Sequence, residues 1–180
     1  MIYEVRTYTL TPGSVGKFEE NFAKALPARQ KYSKLGAFWH TEIGPLNQVI
    51  HVWPYASVEE RNDIRTDASK DPEWPPANPP EMYMAQESEI WHPAPFMREL
   101  GEDQSLGNIY EMRTYTYQTG SMGEVLKRWA AAIPHREEHS PLALGMTSEL
   151  GGLNKWMHVW PYKSLGDRDK IRAEASKSPH

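Results

Sequence analysis

Cysteine is missing from all 180 residues, which removes disulfide frameworks, thiol nucleophiles, iron–sulfur clusters and cysteine-based zinc sites from consideration. Long apolar runs are missing too. No stretch approaches the roughly 20 residues that cross a bilayer, so no membrane span is expected. Nor does either sign of charge dominate: 20 Lys and Arg against 24 Asp and Glu leave a net charge of -4. That balance argues against nucleic acid or an anionic membrane as the principal partner. The opening residues, Met1-Ile2-Tyr3-Glu4-Val5-Arg6, read as a strand rather than as a charged-then-apolar leader, and a cytoplasmic location is the expectation. What remains, 39% apolar and 24% charged residues, is the make-up of a globular protein.

The most informative positive feature is an internal repeat. Ile2-Tyr3-Glu4-Val5-Arg6-Thr7-Tyr8-Thr9 returns as Ile109-Tyr110-Glu111-Met112-Arg113-Thr114-Tyr115-Thr116, so residue 109 follows residue 2 by 107 positions. The same offset carries Gly13-Ser14 onto Gly120-Ser121, Pro27 onto Pro134 and Arg29 onto Arg136. It also carries His51-Val52-Trp53-Pro54-Tyr55 onto His158-Val159-Trp160-Pro161-Tyr162, and Ala68-Ser69-Lys70 onto Ala175-Ser176-Lys177. A gapless match of this length is a duplication. Two long copies are too few for a solenoid and imply a pair of similar small domains: 1–95, a linker over 96–107, and 108–180.

Each copy reads alike. Residues 2–9 alternate and are rich in Tyr, Val and Thr, which predicts a strand. Thr11-Pro12-Gly13-Ser14 predicts a turn ending in a helix N-cap. Val15, Phe18, Phe22, Ala25 and Leu26 follow at helical spacing, with Pro27 expected to break or kink the helix. Runs at 36–43 and 46–53 around Gly44-Pro45 predict a hairpin. Ser57 should cap a second helix, and residues 82–91 should form a last strand. The order β-α-β-β-α-β is that of ferredoxin-like domains, so the fold class is α+β. Asp71-Pro72-Glu73-Trp74-Pro75-Pro76-Ala77-Asn78-Pro79-Pro80 is too rich in proline for helix or central strand and reads as a stiff extended loop. A second irregular stretch, about 92–107, holds the polar run Gly101-Glu102-Asp103-Gln104-Ser105. The second copy has no segment matching the last strand, so its sheet is one strand short unless the natural chain continues or another chain fills the edge; that edge and exposed Trp residues predict association with another chain, such as a homo-oligomer.

The shared Tyr-Glu-x-Arg-Thr-Tyr-Thr strand recurs with Glu42-Ile43-Gly44-Pro45-Leu46-Asn47, matched by Glu149-Leu150-Gly151-Gly152-Leu153-Asn154, and with His-Val-Trp-Pro-Tyr. Together they resemble the NIPSNAP family. That resemblance implies membership of the dimeric α+β barrel superfamily, in which two ferredoxin-like units pack sheet to sheet, here as a pseudo-dimer within one chain. It implies no general activity. Other branches of the superfamily are haem-degrading or quinone-forming monooxygenases and muconolactone-isomerase-like enzymes. Eukaryotic members are associated with mitochondria and vesicle traffic; a bacterial-type cytosolic member is expected here.

Strand alternation groups the candidate residues. Glu4, Arg6 and Tyr8 share one face of the first strand; His51 and Trp53 share one face of the third. Glu111, Arg113, Tyr115, His158 and Trp160 repeat the set. Placing the apolar Tyr3, Val5, Ile50 and Val52 against the helices puts the polar set in the space between the two sheets. There, aromatic walls with Arg and His would suit a small planar organic ligand. The competing reading makes Glu4 and Arg6 a buried ion pair and His51 a core residue, and occurrence in both copies favours it. The expected function is therefore binding of a small organic molecule or a protein partner. The alternative is a cofactor-free or haem-dependent monooxygenase or isomerase acting on a planar aromatic substrate, with His51 as general base. No cofactor is required, no metal site is expected, and no catalytic residue is assigned. Asn47, Trp39, His40, Trp53 and His51 are the residue types of a haem-degrading site, although Trp39 and His40 become Met146 and Thr147 in the second copy. His135-Arg136-Glu137-Glu138-His139 matches an inverted zinc-protease motif, but the first copy has Ala28-Arg29-Gln30-Lys31-Tyr32 there. Arg61, Arg65, Arg168 and Arg172, spaced i, i+4, read as a solvated or interface face.

Overall fold

Alternation of Ile2, Glu4, Arg6 and Tyr8 with Tyr3, Val5 and Thr7 builds strand β1, Ile2–Leu10. In the computed structural model, which describes residues 1–100 and 105–177, the chain divides into two units, Met1–Ile90 and Trp91–His180. Residues 101–104 of the expected linker lie outside the described residues, as do 178–180.

In the first unit β1 is followed by helix α1, Val15–Gln30, strands β2, Ala37–His40, and β3, Gln48–Tyr55, helix α2, Val58–Ala68, and strand β4, Tyr83–Pro93, whose last residues belong to the second unit. The strand order is β2-β3-β1-β4, with β1 and β2 antiparallel to β3. The second unit continues with β5, Ile109–Thr116, α3, Met122–Glu137, β6, Leu144–Leu150, β7, Lys155–Tyr162, and α4, Leu165–Ala175. Its order is β6-β7-β5, and among the described residues no strand follows α4. The α+β class and the two tandem β-α-β-β-α repeats stand as read from the sequence.

Local chemistry explains the elements. The Ser57 and Ser164 side chains accept the backbone N–H three residues on, at 3.2 and 3.1 Å, and so cap α2 and α4. Ser14 makes no such cap; its hydroxyl pairs with Thr11 Oγ1 at 2.7 Å. Pro27 and Pro134 lie inside α1 and α3 rather than ending them. The β2–β3 and β6–β7 hairpins turn through positive φ at Gly44 (99°) and Asn47 (57°), and at Gly151 (106°) and Asn154 (57°). Gly and Asn tolerate that conformation best, which is why the Glu-x-Gly-x-Leu-Asn segment recurs.

Antiparallel register sets Glu4 opposite Trp53, Arg6 opposite His51 and Tyr8 opposite Val49. The second unit repeats this with Glu111 opposite Trp160 and Arg113 opposite His158. The face that these residues form does not point away from the helices, as expected, but lies beneath them. Phe18 and Phe22 of α1 join Ile2, Leu10, Val49, Trp53 and Tyr55 in one buried cluster, and Arg61 and Arg65 of α2 reach Glu4. The physical reason is charge closure. Two α2 arginines answer the carboxylate of Glu4, so a polar strand face is cheap to bury there. Tyr3, Val5 and Val52, with no charge to answer, are buried on the opposite face.

The copies repack without changing the frame. Phe38 corresponds to Gly145 and Val49 to Trp156, one loss of volume offset by one gain. A Cβ on Gly145 would sit 2.9 Å from Trp156 Cη2.

Candidate functional site

The polar core of the first unit is a closed cluster. Glu4, whose side chain is fully buried, pairs with Arg6 at 2.7 Å, Arg61 at 2.5 Å and Arg65 at 3.6 Å, and accepts the Ser88 hydroxyl at 2.7 Å. Burial alone would raise its pKa. The hydrogen bond from Arg61 and the charges of Arg65 and Arg6 outweigh that and lower it to about 2. In the second unit Glu111 takes Arg113 at 2.8 Å, Arg168 at 2.5 Å and Arg172 at 3.3 Å, and against its own burial it is likewise lowered to about 2. The four helix arginines are therefore not a solvated face; each is an ion-pair partner of a strand carboxylate.

Beside each carboxylate sits an indole–imidazole pair. Trp53 Nε1 donates to His51 Nδ1 at 2.6 Å, and Trp160 Nε1 to His158 Nδ1 at 2.8 Å. Burial, reinforced by Arg6 and Arg113, lowers His51 to about 3 and His158 to about 4. Both rings are neutral at pH 7. With Nδ1 accepting, the proton resides on Nε2, which has no hydrogen-bond partner in either ring. An arginine then covers each indole: Arg29 lies 4.5 Å from the Trp53 ring centroid and Arg136 4.1 Å from that of Trp160. Arg29 and Arg136 were visible in the sequence only as matching positions; the stacking needs the helix to cross the strand.

The two units part at one point. In the first, Trp74 from the proline-rich loop packs against Phe22 at 5.8 Å and Trp53 at 6.2 Å, with Arg29 5.9 Å from its centroid. In the second, a cavity of about 460 Å³ opens beneath α3 and α4, walled by Tyr115, Trp129, His158 and Trp160 and carrying Arg113, Arg128, Arg136 and Arg172. Arg136 Nη1 has no partner there, whereas Arg29 Nη1 donates to Ser33 at 2.8 Å. Of the expected site residues, Arg113, Tyr115, His158 and Trp160 meet at this cavity. Glu111 stands behind it as their counter-charge. Glu4, Arg6, Tyr8, His51 and Trp53 meet in the filled cluster of the first unit.

The residue types of a haem-degrading site do not converge. His40 pairs at the surface with Glu19 at 2.7 Å, Asn47 serves the hairpin turn, and His51 is enclosed by Tyr8, Phe22, Phe38 and Trp53. These residues do not fit a haem. Among the described residues no three His, Cys, Asp or Glu side chains gather to hold a metal ion, and His135 of the zinc-protease motif faces Glu138 at 3.9 Å. No described helix is long and apolar enough to cross a membrane. None of the seven tryptophans is exposed, which removes the expectation of association through exposed indoles.

The NIPSNAP family model matches residues 3–98 and again 110–180. The chain belongs to the NIPSNAP family. It is 31% identical over 186 residues to the NipSnap protein of Drosophila melanogaster, covering 99% of this chain and 68% of that one. A solved NIPSNAP domain protein from Burkholderia xenovorans, described as uncharacterized, is 30% identical with a TM-score of 0.51 and covers 55% of this chain and all of its own. A candidate monooxygenase from Fusobacterium nucleatum matches with a TM-score of 0.64 over 96% of this chain and 80% of its own, at 13% identity. That last likeness is one of fold alone. This NIPSNAP protein carries the family motif twice, with the motif's Glu, Arg, Tyr, His and Trp on the strand face beneath the helices.

Proposed function

We propose that this NIPSNAP protein is a binding protein whose second unit receives a planar aromatic anion. The carrying observation is the 460 Å³ cavity in which indole walls meet unpaired donors on Arg136 and His158. Aromatic faces supply contact area at small entropic cost, while a buried donor left unpaired costs free energy that an acceptor on the ligand recovers. Four arginines line the cavity; three cluster arginines share the single carboxylate of Glu111, so positive charge is left over for a carboxylate.

The imidazole supports binding over acid–base catalysis. A general base needs a free lone pair near the working pH. His158 Nδ1 already accepts from Trp160, and its pKa near 4 makes it a weak base. His51, the expected base, is enclosed as well as depressed. A cytoplasmic setting and self-association belong to the same proposal. They agree with the near-neutral charge balance and with the exposed Ile43, Leu46, Leu150 and Leu153 at the hairpin tips.

Calorimetric titration with 2-naphthoate tests the reading. One saturable site that weakens about tenfold or more in Arg136→Ala is expected; absence of saturable binding would overturn it.

A further inference from the structure

The first unit buries a cation that has no anion of its own. Arg29 is 2% exposed, yet among the described residues it forms no ion pair; its guanidinium donates to the hydroxyls of Ser33 and Tyr55, both at 2.8 Å. Glu4, a carboxylate whose charge reaches Arg29, is already shared by Arg6, Arg61 and Arg65. Burial lowers the Arg29 pKa and the charge of Arg65 lowers it further, against the opposing influence of Tyr55 and Glu4. An arginine keeps its proton even so. A buried charge left without a counter-charge costs free energy that a bound anion recovers. Arg29 stacks over Trp53 at 4.5 Å, and the Trp74 ring centroid lies 5.9 Å from it. Trp74 in turn meets Phe22 and Trp53 in edge-to-face contacts.

Resting on the reading above for the class of ligand, we propose that Arg29 marks an aromatic-anion seat in the first unit, and that the proline-rich segment 71–80 is a strap whose Trp74 closes it. The strap is built to come away. Five of its ten residues are proline and have no N–H to offer a neighbouring element. Its backbone hydrogen bonds are local, from Trp74 N to the Asp71 carbonyl at 3.1 Å and from Asn78 N to that of Pro76 at 2.8 Å. Side chains alone tie it to the rest of the unit. Asn21 Nδ2 donates to the Ala77 carbonyl at 3.3 Å and to Asn78 Oδ1 at 2.8 Å, and Asn78 Nδ2 to the Tyr83 hydroxyl at 3.0 Å. The Tyr32 hydroxyl donates to Asp71 at 3.4 Å, and Lys31, 59% exposed, pairs with Asp71 and Glu73 at 3.6 Å each. Exposed pairs of that kind are weak, and the indole they hold down is itself only half-buried. Proline stiffness lets the segment move as one piece about its fixed ends, where Asp71 N bonds the Ala68 carbonyl at 3.1 Å and Thr11 N that of Met82 at 3.0 Å. Swung out, it uncovers Arg29 for a carboxylate and the rings of Phe22 and Trp53 for an aromatic body. Trp74 thereby acts as a tethered competitor. Ligand and indole exclude one another, and the apparent affinity is the intrinsic one reduced by the fraction of time the strap stands open.

The test is calorimetric titration of the whole protein with 2-naphthoate in an Arg136→Ala background, which weakens the cavity of the second unit and leaves the first unit untouched. Adding Trp74→Ala is expected to give one site about tenfold or more tighter than the background shows, as for a strap open no more than about a tenth of the time. Arg29→Gln, added in turn, should remove that site. Asn21→Ala with Lys31→Ala releases the strap while keeping its indole, and should tighten the same site about threefold or more. A Trp74 that merely fills space predicts no such gain, and this pair decides the matter should Trp74→Ala fail to fold. No gain on releasing the strap overturns the gate, and a gained site indifferent to Arg29→Gln overturns the seat. A parent site lost in Arg136→Ala, with none gained in either variant, overturns this inference and leaves the second unit's site standing. A site gained in the variants with none in the parent overturns the second unit's site and supports this one. Absence of binding throughout overturns both.

Discussion

The indole Nε1 of Trp160 donates a 2.8 Å hydrogen bond to Nδ1 of His158, two residues away on the same strand face. Trp53 and His51 repeat it at 2.6 Å. The bond decides the tautomer, and the tautomer decides what the imidazole can do: donate from Nε2, not accept a proton. Nitrogen-15 NMR of the imidazoles is expected to show two rings protonated only at Nε2 at pH 7, with neither titrating above pH 5. Titration of the His51 or the His158 ring near 6.5 would contradict the assignment.

Acid should weaken the fold in two stages. In the unfolded chain the two histidines take up protons below their ordinary value of 6.5, whereas in the folded protein they resist until about 3 and 4. Their contribution is therefore present above pH 6.5 and is lost as pH falls toward those values. Between pH 7 and 5 the pair should cost roughly 3–4 kcal/mol. Below 4.5 the lowered Glu4 and Glu111 add a loss that continues toward their folded values of about 2. Urea denaturation at pH 7, 6 and 5 measures the first stage; an unchanged midpoint would refute it.

Glu4→Gln leaves Arg6, Arg61 and Arg65 without their common carboxylate in a site where the Glu4 side chain has no exposure. A loss of about 3–5 kcal/mol is expected. Glu111 is 17% exposed, so water can partly replace it, and Glu111→Gln should cost less than half as much. Paired urea curves compare the two.

Trp74→Ala should cost about 2 kcal/mol, less than the loss of a fully enclosed indole, because Trp74 is only half-buried. It also empties the seat formed by Phe22, Arg29 and Trp53. The variant should therefore bind 2-naphthoate with a stoichiometry of two where the parent binds one; a stoichiometry that stays at one would show that the two seats are not equivalent.

Much of this architecture was legible in the residues alone. The duplication, the strand and helix order, the Ser57 cap and the shared face of Glu4, Arg6 and Tyr8 all follow from local patterns of period and capping, which need no distant partner. Register, too, obeyed alternation. The direction of that shared face was not legible, because hydrophobicity assigns the apolar side to the helices only when helices bring apolar residues. Here α2 brings Arg61 and Arg65, and α1 brings Arg29 with Phe18 and Phe22. Sequence by itself determined which side chains travel together on one strand face. Tertiary structure decided what that face meets, since a buried carboxylate settles where arginines from elsewhere in the chain can reach it. It also decided that Trp74, from the proline-rich loop after α2, packs on Phe22 and Arg29 of α1 and Trp53 of β3, a meeting of three segments that no local pattern announces.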